Sequence, residues 1–479
     1  MTVRLEDHVR EYLIDNRDEF IRISDFIFEH PEIRFLEHES AKFLAHECEK
    51  VGFEVERGVA NIETAFVGTY GSGKPVIGFL GEYDALSGLG QVANESCQKP
   101  DGNDAGHGCG HNLLGTGAFA AACAVKDYLE KNNLPGTVKF FGCPAEEGGS
   151  GKTYMVREGV FEDLDFALTW HPNKVNSIMS LSSNANYQVY FKFEGVSSHA
   201  AASPHLGRSA LDAVELMSSG VNYLREHVVP EARMHYAYTN TGGISPNVVQ
   251  PVAEVLYLIR APRVQQVDDI FKRVVKIAEG AALMTETKMT MKFDKACSNY
   301  IPNRALEEIL FAALQDSLVE EPTEEEKAYA KQIWESLTPN EKDGYISSMA
   351  SSGYVGDGSE FEGKYLADSI VDYHPSEKAM AGSTDVSDVS WVVPTAQVAI
   401  ATGALGTPGH SWQMTAQGKS SFAHKGMLRA AESMAKAAIH VLENESSLEK
   451  VQAEFAAFRA KNPYTCPIPD DVQPTILKK

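Results

Sequence analysis

Two imidazoles and a thiol fall within the five positions from His107 to His111 in the stretch His107-Gly108-Cys109-Gly110-His111-Asn112. The interleaved glycines let the backbone turn tightly enough for neighbouring side chains to converge. A thiolate beside imidazole is a donor set suited to zinc or a related divalent metal. Further candidates for the same chemistry follow along the chain: Asp84, the adjacent pair Glu146-Glu147, His171, and then His410 or His424. A different chemistry also fits part of this set, with Cys109 as a thiol nucleophile and His107 or His111 as its base. That reading predicts activity that survives a chelator and is lost on alkylation.

The elements around these residues give them a common address. Residues 65–70 and 75–80 are short apolar runs bounded by glycine and read as buried strands, as do 137–141 and 165–169. Residues 113–129 form an alanine-rich helical stretch between them. Strands alternating with helices indicate an α/β domain with a mostly parallel sheet. The strands run directly into Asp84, into Glu146-Glu147 and into His171. Ligands of open α/β sheets bind beyond the carboxyl ends of the strands, so these three ends should meet at one site. His410 follows the apolar run 396–402 and a glycine loop, whereas His424 falls inside a helical pattern, which favours His410 as the later ligand.

The texture changes at about residue 186. Strands at 186–194, 233–241, 252–260 and 288–294 and helices at 207–227 and 264–283 follow in the order βαββαβ, that of an inserted ferredoxin-like α+β unit. The domains expected are therefore 1–185 with 298–479, and 186–297 between them. Residues 5–29 read as one helical element, with apolar positions at Val9, Leu13, Ile14, Phe20, Ile23 and Phe26 to Phe28, and 38–50 as another. The acidic stretch 300–350 reads as a solvated helical hairpin decorating the core.

Composition narrows the function classes. Against 43 Lys and Arg stand 66 Asp and Glu, a net charge of −23, which disfavours nucleic acid and anionic membranes as partners. Seven scattered cysteines argue against a disulfide framework and fit a reducing compartment. The first twenty residues carry charges throughout and no apolar run approaches a membrane span, so the expected location is cytoplasmic.

Taken together, the motifs resemble the M20 metallopeptidase and amidohydrolase family, in its aminoacylase and hippurate-hydrolase branch. His107-Gly-Cys109-Gly-His111-Asn112 is similar to that branch's H-x-C-G-H-D, Pro144-Ala-Glu146-Glu147-Gly-Gly to its P-A-E-E-G-G, Gly382-Ser-Thr384-Asp385 to its G-x-E-D, and His410-Ser411 to its H-S-P. The resemblance implies an α/β catalytic domain with an inserted lid or dimerisation domain. It implies two divalent ions per subunit, manganese or zinc, bridged by Cys109 and completed by His111, Glu147, His171 and His410. Glu146 would then be the general base toward metal-bound water. A carboxylate tied to cations stays ionised while its free neighbour can carry the proton. In the inserted unit, His199 would reach into a partner subunit's site, and Asn247 and Arg260 would hold the substrate carboxylate. The implied substrate is an N-acyl amino acid, with an aromatic acyl group as in p-aminobenzoyl-glutamate, cleaved by a homodimer or a heterodimer with a paralogous subunit. A non-catalytic regulatory subunit is the competing reading. Departures from the branch pattern are Asn112 for Asp, Glu82 for the first Asp of D-x-D-A-L, and Thr384 for Glu.

Overall fold

The computed structural model describes residues 5–317, 319–350 and 354–476. The larger sheet is built from β1 (Glu54–Arg57), β2 (Phe66–Ser72), β3 (Val76–Glu82), β4 (Gly136–Cys143), β5 (Phe166–Asn173), β6 (Ser177–Ile178) and β11 (Thr395–Ala401). Their spatial order is β1-β2-β4-β3-β5-β11-β6. The centre, β4-β3-β5-β11, is parallel, and the pairs at both edges are antiparallel. Every residue of β3 is buried, as expected for a central strand covered on both faces.

Helix α4 (His111–Asn132) lies against this sheet and beside α13 (Ser421–Glu443). Its run of small residues, Ala118, Ala120, Ala121, Ala122 and Ala124, is wholly buried. Gly117 permits the closest approach: a Cβ there would meet the Trp170 ring at 2.7 Å, and the Trp170 indole N–H donates to the Leu114 carbonyl at 2.9 Å. The sheet and helix are thereby locked together at the strand that carries His171.

A second sheet takes all its strands from Ala185 to Cys297: β7 (Ala185–Glu194), β8 (Arg233–Asn240), β9 (Val252–Ala261) and β10 (Lys288–Cys297). It is antiparallel in the order β8-β9-β7-β10, with α6 (Ala210–Leu224) and α7 (Val264–Thr285) packed on one face. This is the ferredoxin-like arrangement read from the βαββαβ order.

The helix expected over 38–50 is present as α3 (His38–Lys50), but two other expectations change. Residues 5–29 form two helices, α1 (Leu5–Asp15) and α2 (Arg17–Glu29), not one. Asn16 leaves helical geometry at ψ 11°, and its side-chain amide donates to the Tyr12 carbonyl at 2.8 Å, an option few other residues offer the backbone. The acidic stretch holds three helices, α8 (Arg304–Gln315), α9 (Glu324–Glu335) and α10 (Pro339–Met349), and is not simply solvated. Ala330, Ile333 and Met349 are buried, and the capping boxes Thr323–Glu326 and Thr338–Glu341 fix where the latter two helices start.

The inserted strands rejoin the larger sheet's layer at Asp388, a fully buried residue near the start of α11 (Val386–Val392). Its carboxyl accepts hydrogen bonds from Ser298 Oγ at 2.7 Å, Thr153 Oγ1 at 2.7 Å and Tyr464 Oη at 2.9 Å. Burial pushes this carboxyl up to about 6, with those donors opposing the shift. An acid whose folded value is raised stabilises the fold most below its ordinary range and loses that contribution as pH rises through the folded value. The stability difference between wild type and Asp388→Asn should therefore shrink between pH 4 and about 6 and level off above it, by at most about 3 kcal/mol. Urea unfolding of both proteins across that range measures the difference.

Candidate metal centre and substrate cleft

The site lies at the carboxyl ends of β3, β4 and β5. His111 opens α4 behind Gly110, whose φ of 78° turns the chain between Cys109 and His111. The His111 Nδ1 lies 2.9 Å from Asp84 Oδ1, and the other Asp84 oxygen accepts the Glu147 backbone N–H at 2.8 Å. With Nδ1 held by a carboxylate, His111 in its neutral form would direct the Nε2 lone pair toward the cleft. His171 is arranged in the same way, with Nδ1 at 2.8 Å from the Pro172 carbonyl. After β4 the chain turns sharply through Ala145 (φ 64°), whose N–H donates to the buried Glu37, and this presents Glu146 and Glu147. His410 arrives on the glycine loop between β11 and α12 (Trp412–Gln417), its N–H donating to the Gly108 carbonyl at 3.1 Å.

These side chains meet. Cys109 Sγ is 3.5 Å from His171 Nε2, and His410 Nε2 is 3.5 Å from Glu147 Oε2. The donor atoms form three groups, Cys109–His111–His171, Cys109–Glu147–His410 and Glu82–His111–Glu146, each within 4.8 Å of one another. Cys109 belongs to two of them. The buried Glu147 Oε1 has no hydrogen-bond partner, and His111 Nε2 has the Glu82 carboxylate 3.3 Å away but outside hydrogen-bond geometry, although such groups are costly to leave unpaired. Two soft or borderline donors, two orphaned donor atoms and a shared sulfur fit divalent cations well. Burial first, then Glu147, pushes the Cys109 thiol up to about 12. A thiol nucleophile needs the opposite shift, whereas a thiolate ligand is balanced by the cation it binds.

Other residues fall outside this centre. His107 is buried with Nε2 3.0 Å from the Ile27 carbonyl, and burial, then His111, hold its imidazole down to about 4. His424 sits in α13, paired with Asp25 at 3.0 Å, so it is His410 that reaches the cluster. Asn112 explains its departure from Asp: its amide donates to Ser24 Oγ and the Gly418 carbonyl, which a carboxylate could not do. His199 and Asn247 are exposed and line no wall of this chain's own cleft. They adjoin each other, with the His199 and Val248 backbones bridged. Arg260 does line the cleft. Its Nη1 is 3.2 Å from Ser383 Oγ, and its buried Nε has no partner.

The cleft encloses about 660 Å³. Two of its features go beyond what the sequence indicates. Asn340, Glu341 and Met349 of α10 form part of its wall. Beneath it, the fully buried Lys152 ammonium, on α5 (Gly151–Arg157), bridges Glu82 and Asp385, at 2.6 Å from an oxygen of each. The Glu82 departure from the branch pattern is thus matched by a buried cation. A lysine leading the buried run Thr153-Tyr154-Met155-Val156 is the available signal, though nothing in its spacing names its partners. Burial first, then Glu82, Glu147 and Asp385, raises the Glu146 carboxyl well above the usual range.

The sequence matches Peptidase family M20/M25/M40 over residues 78–467, and the chain belongs to that family. It is accordingly an enzyme of the M20 amidohydrolase and peptidase class, whose members bind divalent metals. Among named relatives, it is 51% identical over 470 residues to a p-aminobenzoyl-glutamate hydrolase subunit of Escherichia coli (strain K12), covering 97% of each chain. It is 30% identical to Xaa-Arg dipeptidase of Mus musculus over 79% of this chain and 73% of that one. Two solved structures share the fold. An aminobenzoyl-glutamate utilization protein from Klebsiella pneumoniae has TM-score 0.62 and 18% identity, over 91% of this chain and 98% of that one. A dinuclear metal binding peptidase of the M20 family from Bacillus subtilis has TM-score 0.52 and 17% identity, over 89% and 98%.

Replacing Lys152 with Met should strand Glu82 and Asp385 as unpaired buried charges and cost about 3–5 kcal/mol of folding stability. Urea denaturation at neutral pH measures it; a loss below about 1 kcal/mol, the scale of an exposed ion pair, would show that the bridge carries little.

Proposed function

We propose that this chain hydrolyses the amide bond of an N-acyl amino acid using two divalent cations, manganese or zinc, bound by Cys109, His111, Glu147, His171 and His410. The acyl group is aromatic on this reading, since the 51% identical relative is named for p-aminobenzoyl-glutamate. The observation that carries the proposal is the convergence of two donor groups on one sulfur, Cys109, with orphaned buried atoms of His111 and Glu147 beside it.

Bound there, divalent cations supply Lewis acidity, making water nucleophilic at neutral pH and polarising the amide carbonyl. The chain supplies the rest. Glu146, next to Glu147 and within 4.8 Å of a His111 donor atom, takes the proton of the attacking water and later returns it to the leaving amine. Its raised pKa suits a group that must hold a proton between those two steps. Asp84 and the Pro172 carbonyl keep the two imidazoles oriented throughout. Arg260 offers its guanidinium to the substrate carboxylate.

Residues 186–297 serve on this reading as the lid and dimerisation unit, the remainder as the catalytic domain. His199 and Asn247, exposed on the lid and away from this chain's own cleft, act in the site of a partner, either a second copy or a paralogous subunit. The relative's designation as a subunit favours one alternative, a chain that depends on a paralogue for activity. The complete donor set argues that this chain is itself catalytic.

Glu146→Gln tests the proposal. Turnover of p-aminobenzoyl-glutamate by the purified, metal-loaded chain should fall by at least about 10³-fold, while metal content stays at the wild-type value. Retained activity in that variant refutes the base assignment. An inert wild-type chain that gains activity with a paralogue supports the dependent-chain alternative.

A further inference from the structure

Arg233 and Arg260 face each other directly across β8 and β9. Residues paired in this way project to the same sheet face, with Cβ atoms about 5 Å apart, and like charges so placed destabilise the sheet. Neither arginine has a carboxylate partner among the described residues. Arg233 Nη1 donates only to the carbonyls of Pro230 and Ala232, and Arg260 has Ser383 Oγ and an unpartnered buried Nε. His235, two residues along the same face, feels the cluster. Burial lowers its imidazole, and Arg260, Arg225 and Arg233 push it further down.

In a chain of net charge −23, the exposed Arg233 and the half-buried Arg260, with no carboxylate on either, form a local site of positive charge that an anion would complement. The carboxylates nearby do not serve. Glu454 accepts the backbone N–H groups of Arg304 and Ala305, Glu377 lies 3.9 Å from Arg304, and neither these nor Glu231 pairs with Arg233 or Arg260. A second cavity of about 1160 Å³ is lined by Arg233 and His235, and Arg260 lines both it and the metal-centre cleft. A substrate carboxylate at Arg260 therefore stands at the junction of the two spaces, with Arg233 across the sheet from it.

We propose that Arg233 is a specificity-determining residue that binds a second substrate carboxylate, so that the amino-acid half released is a dicarboxylic one. This rests on the N-acyl amino acid reading above. Arg260 takes the α-carboxylate common to all such substrates, and Arg233 the side-chain carboxylate. A side-chain amide in its place leaves the Arg233 charge uncompensated.

Steady-state kinetics of the manganese-loaded full chain on N-benzoyl-L-glutamate and N-benzoyl-L-glutamine test this. Wild type should favour the glutamate by at least about tenfold in kcat/KM, the scale of one hydrogen-bonded charge. Arg233→Met should raise KM for the glutamate about tenfold with kcat little changed, and move the glutamine values less than about twofold. Arg233→Lys should recover part of the preference. Equal losses on both substrates in Arg233→Met, or a wild type indifferent to the two, overturn the proposal. Calorimetric binding to metal-loaded Glu146→Gln separates the two claims. Selective glutamate binding without wild-type turnover of either compound refutes the hydrolase reading and supports the Arg233 assignment. Turnover of both compounds with equal efficiency refutes only the second-carboxylate claim.

Discussion

Asp84 holds the ends of two strands together with its two oxygens. Through Oδ1 it orients His111, and through Oδ2 it receives the backbone N–H of Glu147, so the first residue of α4 and the turn after β4 are fixed by one carboxylate. It sits two residues beyond β3, the fully buried central strand, and is itself buried from solvent. Although burial opposes its ionisation, the His111 imidazole keeps the Asp84 carboxyl below the usual range. The remaining donors are placed relative to this pair: Cys109 two residues before His111, His171 on the neighbouring strand β5, and His410 through its N–H to Gly108.

Around that fixed point the structure concentrates negative charge. Glu37, Glu82, Asp84, Glu146, Glu147 and Asp385 lie at or below the floor of the cleft, against which Lys152 is a buried lysine cation paired with two of them. Buried charges of one sign persist only when paired or coordinated. Lys152 answers for Glu82 and Asp385, and the carboxylates nearer Cys109 are those that the proposed cations would balance. Burial raises both members of the pair, but Glu146 also has the carboxylates of Glu82, Glu147 and Asp385 acting on it, whereas His111 and His410 offset the shift at Glu147.

Much of this is legible in the residues themselves. Glycine-bounded apolar runs mark β2 to β5, and those runs end in Asp84, Glu146-Glu147 and His171 because α/β sheets present their ligands there. The βαββαβ order is legible because each element keeps its own period, two for strands and near four for helices. What stays hidden depends on contacts distant in sequence. Lys152 is an ordinary lysine until Glu82 and Asp385, 70 and 233 residues away, are seen to flank it. Arg233 matters only through its register with Arg260 across a hairpin. The acidic composition of 300–350 conceals the burial of Ala330 and Ile333 on α9 and of Met349 on α10, the last of which lies in the cleft wall. Asn16, whose side-chain amide donates to the Tyr12 carbonyl, stands at the break between two helices that the apolar period runs straight through.

Two cations should be held by Cys109 and the four donors that converge on it, His111, His171, Glu147 and His410. Metal analysis of the full-length chain, reconstituted with manganese or zinc and freed of excess by gel filtration, tests this most directly. Wild type should retain two ions per chain, His410→Ala one, and Cys109→Ala none. A wild type that retains no ion, or a Cys109→Ala variant that retains two, would contradict this.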